Sequence, residues 1–390
     1  MLHRRCIPIS WRNPLVIGDD QPLTDHGAIL TNVPGLEELG WGPHWQALFE
    51  LLAAADSTPA RVVRGDRGSS LVAAPSGVVR AKPSVRLLKT TGDPADLPVV
   101  GDWVAARTSS ELEVPLIDAV LDRKSAIVRG ESVRSSNRQV LAANIDTVFV
   151  VEPVAVTPNL RRIERELALA WSSGAIPVVV LTKADLSSDP GEARATVVSV
   201  ALGVEVLLAN SLEPESAGQL LPYISNQRTA VLLGPSGAGK STLINTLLGA
   251  QRQTTRDVRE TDGRGRHTTV SRELITIDGG GIIIDTPGLR ALALTGSEAG
   301  IASAFADVVE IASSCRYRDC RHRDEPGCAV RAAIESGTIP AERLASFHKL
   351  LRESEVAAMK TDARLRNEEK RKWKIITKAA MDFHKRTGRG

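Results

Sequence analysis

The stretch TAVLLGPSGAGKSTLIN, residues 229–245, has a spacing of residues that suits phosphate chemistry. It contains G-x-x-x-x-G-K-S, with an apolar run before it and a helical pattern after it. The glycines let the backbone curl so that its amides point at phosphate oxygens, and the helix start adds its positive dipole end. Lys240 would reach the β- and γ-phosphates, while Ser241 would offer a hydroxyl to Mg²⁺. The predicted phosphate-binding residues are Gly234, Pro235, Ser236, Gly237, Ala238, Gly239, Lys240, Ser241 and Thr242.

The stretch GGIIIDTPGL, residues 280–289, would complete the chemistry at the phosphates. Its apolar run delivers Asp285 to the C-terminal edge of a parallel sheet, where ligands gather in such folds. The D-x-x-G form predicts that Asp285 holds Mg²⁺ through water and that the Gly288 amide contacts the γ-phosphate. A polar segment rich in arginine and glycine comes before it, and Thr268 or Thr269 in that segment would complete the Mg²⁺ shell.

A tetrapeptide that could read a guanine base follows another apolar run, at residues 182–185. The carboxylate of Asp185 could accept the N1 and N2 protons of guanine, a pair that adenine does not offer, and Lys183 would lie along the base. The usual first residue of such a motif is asparagine, and here it is Thr182. A second base-side loop is expected one helix and one strand later, where Asn210 and Ser211 replace the commoner Ser-Ala pair. The predicted base-side residues are Thr182, Lys183, Ala184, Asp185, Asn210 and Ser211.

The order of these motifs along the chain is unusual. The base-reading tetrapeptide comes first, the phosphate loop second and D-x-x-G last. A surface turn after a strand would explain the tetrapeptide alone, but its place at a strand end favours the base-reading interpretation. All the elements of a GTPase are then present in a rotated order, which predicts a circularly permuted domain. Permutation is tolerated when the old termini lie close together and the new ones fall in an exposed loop.

A metal-ligating pattern follows the D-x-x-G motif. Cys315, Cys320, His322 and Cys328 form C-x₄-C-x-H-x₅-C, with arginine, aspartate, proline and glycine as spacers. Three thiolates and one imidazole are a full tetrahedral set for structural zinc, which leaves no open position for a catalytic water. The remaining cysteine, Cys6, is expected to be a reduced thiol.

The composition bounds the class of protein. A chain of 390 residues predicts roughly two to four domains. Hydrophobic residues make up 42% and charged residues 24%, as in ordinary globular proteins. No apolar run approaches the roughly 18 residues of a membrane span, and the N-terminus lacks the apolar core of a signal peptide. We therefore expect a cytoplasmic protein without a membrane partner.

The rhythm of the sequence predicts three folded parts after an N-terminal extension, residues 1–57. Short apolar runs between turns in residues 58–133 predict an OB-fold-like β-barrel, with a small sandwich as the open alternative. Strands alternating with helices in residues 134–298 predict an α/β domain with a mostly parallel sheet, the circularly permuted GTPase domain. Residues 299–390 predict an α-helical zinc-binding domain with a basic tail.

From about Ala60 to the C-terminus, the chain resembles the RsgA (YjeQ) family of circularly permuted GTPases. The resemblance rests on VGDWV, NRQVLAANIDTVFVV, GPSGAGKSTLIN, GRHTT, DTPG and the cysteine-histidine cluster, in that order. It implies a factor that acts in late maturation of the small ribosomal subunit, binds 16S rRNA and hydrolyses GTP to GDP. It also implies hydrolysis stimulated by the subunit, one structural Zn²⁺ and Mg²⁺ bound with GTP. We also expect the chain to be a monomer. Thr182, Asn210 and the long N-terminal extension depart from the family pattern.

The residue that orients the attacking water is the open question of the predicted mechanism. Leu289 follows D-x-x-G, where many GTPases carry glutamine, and leucine cannot orient water. His267 in GRHTT is the candidate, and the resemblance implies the same role. The alternative is that His267 contacts only RNA or solvent. Two other functions stay open: an RNA-binding module with a structural nucleotide site, and a P-loop ATPase, which the absence of an L-S-G-G-Q-type loop disfavours.

Overall fold

Residues 35–54 pack against the first folded unit through aromatic rings. The structure is a computed structural model that describes residues 35–54, 56–107, 114–130, 138–249, 272–277, 279–285 and 298–361. Helix α1 (Pro43–Leu52) follows a turn at residues 36–40. Trp41 and Trp45 lie 4.9 and 6.1 Å from the ring of Trp103, measured between centroids. Helix α1 therefore packs on the strands that follow.

Residues 58–120 fold into a closed β-barrel. Its elements are β1 (Thr58–Asp66), β2 (Ser69–Ala74), β3 (Gly77–Pro83), α2 (Val85–Thr90), β4 (Trp103–Arg107) and β5 (Leu116–Val120). The strands pair in the order β1-β2-β3-β5-β4, and β4 returns to β1 with Arg61 opposite Trp103. Small and β-branched side chains, including Val62, Val72 and Val104, fill the interior. Closure removes the exposed sheet edges that an open sandwich would leave, and it decides for the barrel.

A β-hairpin connects the barrel to the α/β domain. Strands β6 (Ala126–Gly130) and β7 (Arg138–Ala143) pair antiparallel, with Ile127 opposite Ala142. The hairpin spans the predicted boundary at residues 133 and 134. That boundary, like the other predicted limits of the domains, stays a prediction.

The α/β domain alternates strands and helices as the sequence predicts. Its elements are β8 (Thr147–Pro153), α3 (Leu160–Ser173), β9 (Ile176–Thr182), α4 (Pro190–Val198), β10 (Glu205–Ala209), α5 (Pro214–Gly218), α6 (Leu221–Ile224), β11 (Thr229–Leu233), α7 (Lys240–Leu248), β12 (Arg272–Ile277) and β13 (Gly281–Asp285). The sheet order is β10-β9-β8-β11-β13-β12, in which every neighbouring pair is parallel except β12–β13. Helix α3 begins at an Asn159 side-chain cap and ends at Gly174 in the left-handed region. The mostly parallel sheet is confirmed.

Alternate residues of strand β8 pack into two separate hydrophobic cores. On β8, Val148 and Val150 pack into one hydrophobic cluster and Phe149 and Val151 into another. Successive side chains of a strand point to opposite faces, so both faces of this sheet are covered. This explains why the strands of the domain appear in the sequence as continuous apolar runs rather than alternating ones.

The barrel and the α/β domain share one sheet. Barrel strand β1 pairs antiparallel with β12, with Arg64 opposite Glu273 and Gly65 opposite Arg272. The described strands of the two units therefore form a single eleven-stranded sheet. Sequence patterns did not predict this connection, because β1 and β12 lie about 200 residues apart and neither carries a local sign of the other.

The C-terminal part is helical and packs on α3. It contains α8 (Glu298–Ala304), α9 (Ala306–Ala312), α10 (Ala329–Glu335) and α11 (Ala341–Thr361). A Cβ at Gly300 of α8 would collide with Ser172 and with the Ala168 carbonyl of α3, so glycine permits the close approach of these helices. The predicted helical character is confirmed, and the basic tail from residue 362 onward lies outside the described residues. Among the described helices, none has both the length and the apolar character needed to cross a bilayer.

Candidate nucleotide site and metal centre

The predicted phosphate loop lies between the end of β11 and the start of α7. Gly234, Gly237 and Gly239 have φ values of +141°, +75° and +88°, which L side chains rarely adopt. A Cβ at Gly234 would collide with the Val151 carbonyl oxygen of neighbouring β8. The loop therefore requires glycine for its curl, and the first-turn amides of α7 face the space that the loop encloses.

The side chain of Lys240 is hydrogen-bonded to the backbone of this loop. Its Nζ donates to the carbonyl oxygens of Gly234 at 2.8 Å and Pro235 at 2.7 Å. The ammonium group thus lies over the mouth of the loop, where a phosphate oxygen could replace a carbonyl as its acceptor. The next residue, Ser241, is partly buried in the first turn of α7. Both side chains lie at the start of α7, and their roles in binding phosphate and Mg²⁺ stay predictions.

Asp285 ends the strand beside the phosphate loop. Strands β11 and β13 run parallel with Val231 opposite Ile284, so the loop after β11 and the carboxylate of Asp285 lie at the same sheet edge. Hydroxyl and carboxylate oxygens suit Mg²⁺, which fits the prediction that Ser241 binds the ion and that Asp285 holds it through water. Four other predicted site residues, His267, Thr268, Thr269 and Gly288, lie outside the described residues.

The base-reading tetrapeptide begins at the end of β9. Thr182 is fully buried, Lys183 adopts φ +57°, and Ala184–Leu186 form a 3₁₀ turn. Asp185 lies in that turn and is exposed, so its carboxylate is accessible to a ligand. The turn follows a strand end of the parallel sheet, as the base-reading interpretation requires, rather than an isolated surface loop.

The second base-side loop lies next to the first. Strand β10 pairs with β9 so that Ala209 is opposite Thr182, and Asn210 and Ser211 follow directly. The Asn210 side chain is engaged within its own loop: its amide group donates to Glu213 at 2.7 Å and its oxygen accepts from the Leu212 N–H at 3.1 Å. Asn210 therefore shapes the loop, and Ser211 is buried against the neighbouring elements.

Two threonine hydroxyls join the base side to the phosphate side among the described residues. Thr182 Oγ1 donates to the Ala238 carbonyl oxygen at 2.6 Å, and Thr246 Oγ1 of α7 donates to the Ser211 carbonyl oxygen at 2.6 Å. Motifs that are far apart in the sequence and inverted in their order thus meet in one site. Sequence reasoning missed Thr246, because a threonine inside an amphipathic helix carries no sign of its partner.

A buried acidic group beside the phosphate loop was also missed. Glu152 at the end of β8 is buried, and Arg162 of α3 donates to both of its carboxylate oxygens, at 3.0 and 2.5 Å. Burial, reinforced by the negative charge of Glu152, raises the pKa of Glu166 to about 8, while Lys240 opposes the shift. Glu166 therefore carries a proton at neutral pH. The charge-rich run RRIERE in α3 was the signal in the sequence for this cluster.

Three cysteines and a histidine converge in the C-terminal helical part. The ligand atoms of Cys315, Cys320, His322 and Cys328 all lie within 4.8 Å of one another. His322 Nδ1 is 3.6 Å from the Cys315 sulfur and 3.5 Å from the Cys328 sulfur, and these two sulfurs are 4.0 Å apart. Zn–S bonds of about 2.3 Å in a tetrahedron place sulfurs roughly 3.8 Å apart, so the cluster fits zinc. Burial lowers the pKa of His322, which keeps its imidazole in the neutral, metal-binding form.

The loop between the ligands is shaped by backbone hydrogen bonds. Glu325 accepts from the N–H groups of Arg321 at 3.0 Å and Arg323 at 2.8 Å, and these bonds lower the pKa of its carboxyl to about 2. Cys328 caps the N-terminus of α10, where its sulfur accepts from the Arg331 N–H at 3.5 Å. The ligand set is thus held at one end by a helix and in the middle by a capped turn.

The fold and the site together define a circularly permuted P-loop GTPase, with a β-barrel before it and a zinc-type centre after it. Two solved structures share the fold. YjeQ from Thermotoga maritima has a TM-score of 0.57 and 24% identity, and covers 76% of this chain and 98% of its own. YloQ, described as a circularly permuted GTPase, has a TM-score of 0.54 and 22% identity, and covers 77% and 96%.

Sequence comparison identifies the family. A family model for the RsgA GTPase matches residues 120–295. The small ribosomal subunit biogenesis GTPase RsgA of Streptomyces coelicolor is 45% identical over 90% of this chain and 96% of its own. The protein of the same name from Opitutus terrae is 43% identical over 87% and 95%. The chain belongs to the RsgA family of GTPases, and it hydrolyses GTP.

Proposed function

We propose that this chain binds the small ribosomal subunit through 16S rRNA and acts late in its maturation, with GTP hydrolysis stimulated by the subunit. The relatives named above are small ribosomal subunit biogenesis GTPases, which supports the coarse role. The observation that carries the proposal is the meeting of the base-side and phosphate-side motifs in one site, in a chain that also contains a β-barrel and a zinc-type centre. We further propose that the chain works as a cytoplasmic monomer, which light scattering of the purified protein would test.

Nucleotide binding would use the described loops as follows. The amides of the phosphate loop and Lys240 hold the phosphates, and the Asp185 carboxylate accepts two protons from guanine. Ser241 holds Mg²⁺ with its hydroxyl and Asp285 holds it through water, and the ion neutralises charge on the β- and γ-phosphates. Thr268 or Thr269 and the Gly288 amide would complete the contacts around the γ-phosphate. Binding and orientation are thus shared between two loop sets on one sheet edge.

Stimulation by the subunit would act through the segment that carries His267. This segment ends where β12 begins, and β12 is hydrogen-bonded to barrel strand β1. Docking of the barrel and the basic tail on rRNA phosphates is largely electrostatic. Docking could order the segment and bring His267 to the attacking water. His267 would be needed there because Leu289 provides no group that orients the water. Hydrolysis of GTP would then undo the ordering of the segment and release the protein from the subunit.

The test is GTP turnover with and without purified small subunits. We expect slow hydrolysis by the free chain and a clear acceleration by subunits. His267→Ala should keep GTP and subunit binding but lose most of the stimulated rate. His44→Ala, an exposed histidine of α1, is the matched control and should keep full stimulation.

Two outcomes would contradict parts of the proposal. Fast turnover without subunits would contradict stimulation, and undiminished stimulation of His267→Ala would contradict the role of that residue. An RNA-binding module with a structural nucleotide site would bind subunits with no turnover at all. Similar affinities for ATP and GTP would favour the P-loop ATPase alternative.

A further inference from the structure

Thr182 occupies the place of the usual asparagine and is bonded to the phosphate loop. Its side chain is fully buried, and Oγ1 donates to the Ala238 carbonyl at 2.6 Å, far closer than its 3.5 Å contact with the Glu152 carbonyl. Ala238 is itself fully buried, so its carbonyl has little access to water. A buried acceptor that loses its donor is costly, which makes this bond a strong restraint on the two loops.

A second hydroxyl makes the equivalent connection for the other base-side loop. Thr246 lies on α7, directly behind the phosphate loop, and donates to the Ser211 carbonyl at 2.6 Å. A Cβ at Gly239 would come within 3.1 Å of Ser211 Oγ and 3.7 Å of Thr182 Oγ1. The base-reading turn, the second loop and the phosphate loop therefore meet around Gly239.

We propose that Thr182 and Thr246 are positioning residues for guanine recognition, acting through the two base-side loops. Asp185 is exposed on a single 3₁₀ turn after Lys183, which has a left-handed backbone. A carboxylate that accepts two protons from a planar base must keep its direction, since hydrogen bonds weaken steeply away from linearity. The Thr182 hydroxyl fixes the start of that turn against the phosphate loop. The Thr246 hydroxyl fixes the second loop, so that base and phosphates are bound in one geometry.

The first experiment compares valine and serine at both positions in the full chain. This positioning role presupposes that the site binds guanine nucleotides, so the inference rests on the proposed function. Valine has the shape of threonine without the hydroxyl, and serine keeps the hydroxyl. We expect Thr182→Val to weaken GDP binding about tenfold and Thr246→Val about threefold, the scale of one lost hydrogen bond at a buried carbonyl. Thr182→Ser and Thr246→Ser should bind GDP within about twofold of the unmodified chain.

The second experiment asks whether the loss depends on the base. Inosine diphosphate lacks the 2-amino group, so it offers Asp185 one proton fewer. Thr182→Val should reduce the preference for GDP over inosine diphosphate. In a cycle with Asp185→Asn, the effect of Thr182→Val on GDP binding should largely disappear, because both changes act on one interaction. A role in stability alone would lower the affinity for both nucleotides equally.

The results separate this inference from the proposed function. No binding of guanine nucleotides by the unmodified chain would refute the proposed function itself. Normal binding by the unmodified chain and by both valine variants, or equal losses for the two nucleotides, would overturn only the positioning role. If Thr182→Val does not fold, Thr246→Val, which changes a half-buried residue, and the two serine variants still test the positioning role. Loss of GDP affinity in the serine variants would also overturn it.

Discussion

At the scale of single residues, the site shows that a residue which departs from the usual motif can still bind the phosphate loop. Thr182 replaces the usual asparagine, yet its hydroxyl donates to the phosphate loop at Ala238. Asn210 and Ser211 differ from the commoner Ser-Ala pair, and the first of them stabilises its own loop. Both departures from the usual motif are therefore accommodated by hydrogen bonds of the substituted side chains, and the carboxylate of Asp185 stays exposed.

Glu166 gives the molecule a pH dependence that belongs to one side chain. Its pKa is raised from its ordinary value of 4.5 to about 8, by burial first and by Glu152 second, while Arg162, Lys240 and Arg165 oppose the shift. A carboxyl with a raised pKa takes up a proton on folding. Its contribution to stability is therefore fully present below about pH 4.5 and is lost as the pH rises towards 8.

Glu166→Gln should remove this dependence, because glutamine has the shape of the protonated acid and nothing to titrate. We expect the variant and the unmodified chain to melt at similar temperatures near pH 5, and the variant to melt a few degrees higher at pH 8. Thermal melts at several pH values measure the difference. The exposed Glu335→Gln should show no such trend. If the difference in melting temperature between Glu166→Gln and the unmodified chain stays the same at all pH values, the raised pKa of the buried Glu166 carboxyl is contradicted.

At the scale of elements, the metal centre is formed by a single short segment of the chain. Its four ligands fall within residues 315–328, and their loop is held by Glu325 and by the cap of α10. Metal binding and folding of such a site are coupled, since the ligands have no fixed arrangement without the ion. The nucleotide loops follow β9, β10, β11 and β13 of the sheet. Cys328 belongs to one hydrophobic core of this sheet, whereas the core on the other face contains none of the four ligands.

Cys320→Ser should therefore abolish zinc binding while the nucleotide site survives. We expect about one zinc per unmodified chain, almost none in the variant, and GDP affinity within about threefold of normal, because the four ligands lie within one short segment that is separate in sequence from the nucleotide loops. Metal analysis and a binding titration measure both. Cys6→Ser is the matched control and should keep its zinc. Unchanged zinc content in Cys320→Ser would show that the ligand set is wrong.

At the scale of the whole molecule, two buried arginines hold the parts of the chain together. Arg61 of the barrel donates to the Leu39 and Gly101 carbonyls and to Thr229 of β11. Arg343 of α11 donates to Glu164 of α3 at 3.0 Å and to both carboxylate oxygens of Asp307 at 2.6 and 2.7 Å. Buried guanidinium groups with several acceptors keep neighbouring units in fixed orientations. The α/β domain, the barrel and the C-terminal helices are thus joined by buried hydrogen bonds.

Arg343→Ala should weaken the attachment of the helical part to the α/β domain. Removing the cation leaves the buried carboxylate of Glu164 without this partner, and we expect a loss of about 3 kcal/mol. Arg165→Ala is the matched control, since Arg165 pairs with Glu353 between the same two helices, at 2.6 Å and partly exposed. It should cost less than about 1 kcal/mol. Urea unfolding measures both, and similar losses would contradict the role of burial.

The sequence by itself determined the chemistry that depends on residues close together in the chain. The phosphate loop needs three glycines and a lysine within seven residues, and the metal centre needs four ligands within fourteen, so residue type and spacing predict both. The strand and helix alternation follows from local apolar patterns, and the rotated motif order predicted the permutation. The barrel was one of two interpretations, because short alternating strands suit an open sandwich equally well.

Only the tertiary structure decided how these parts meet. The contact between Arg61 and Thr229 spans 168 residues, and that between Arg343 and Glu164 spans 179. Barrel closure, the pairing of β1 with β12 and the bonds of Thr182 and Thr246 are likewise contacts between segments distant in sequence. Such contacts form only after loops close and helices and strands pack, and that outcome depends on the free energy of the whole arrangement. No local spacing encodes it, which is why the partner of each buried hydroxyl and guanidinium had to be seen in the fold.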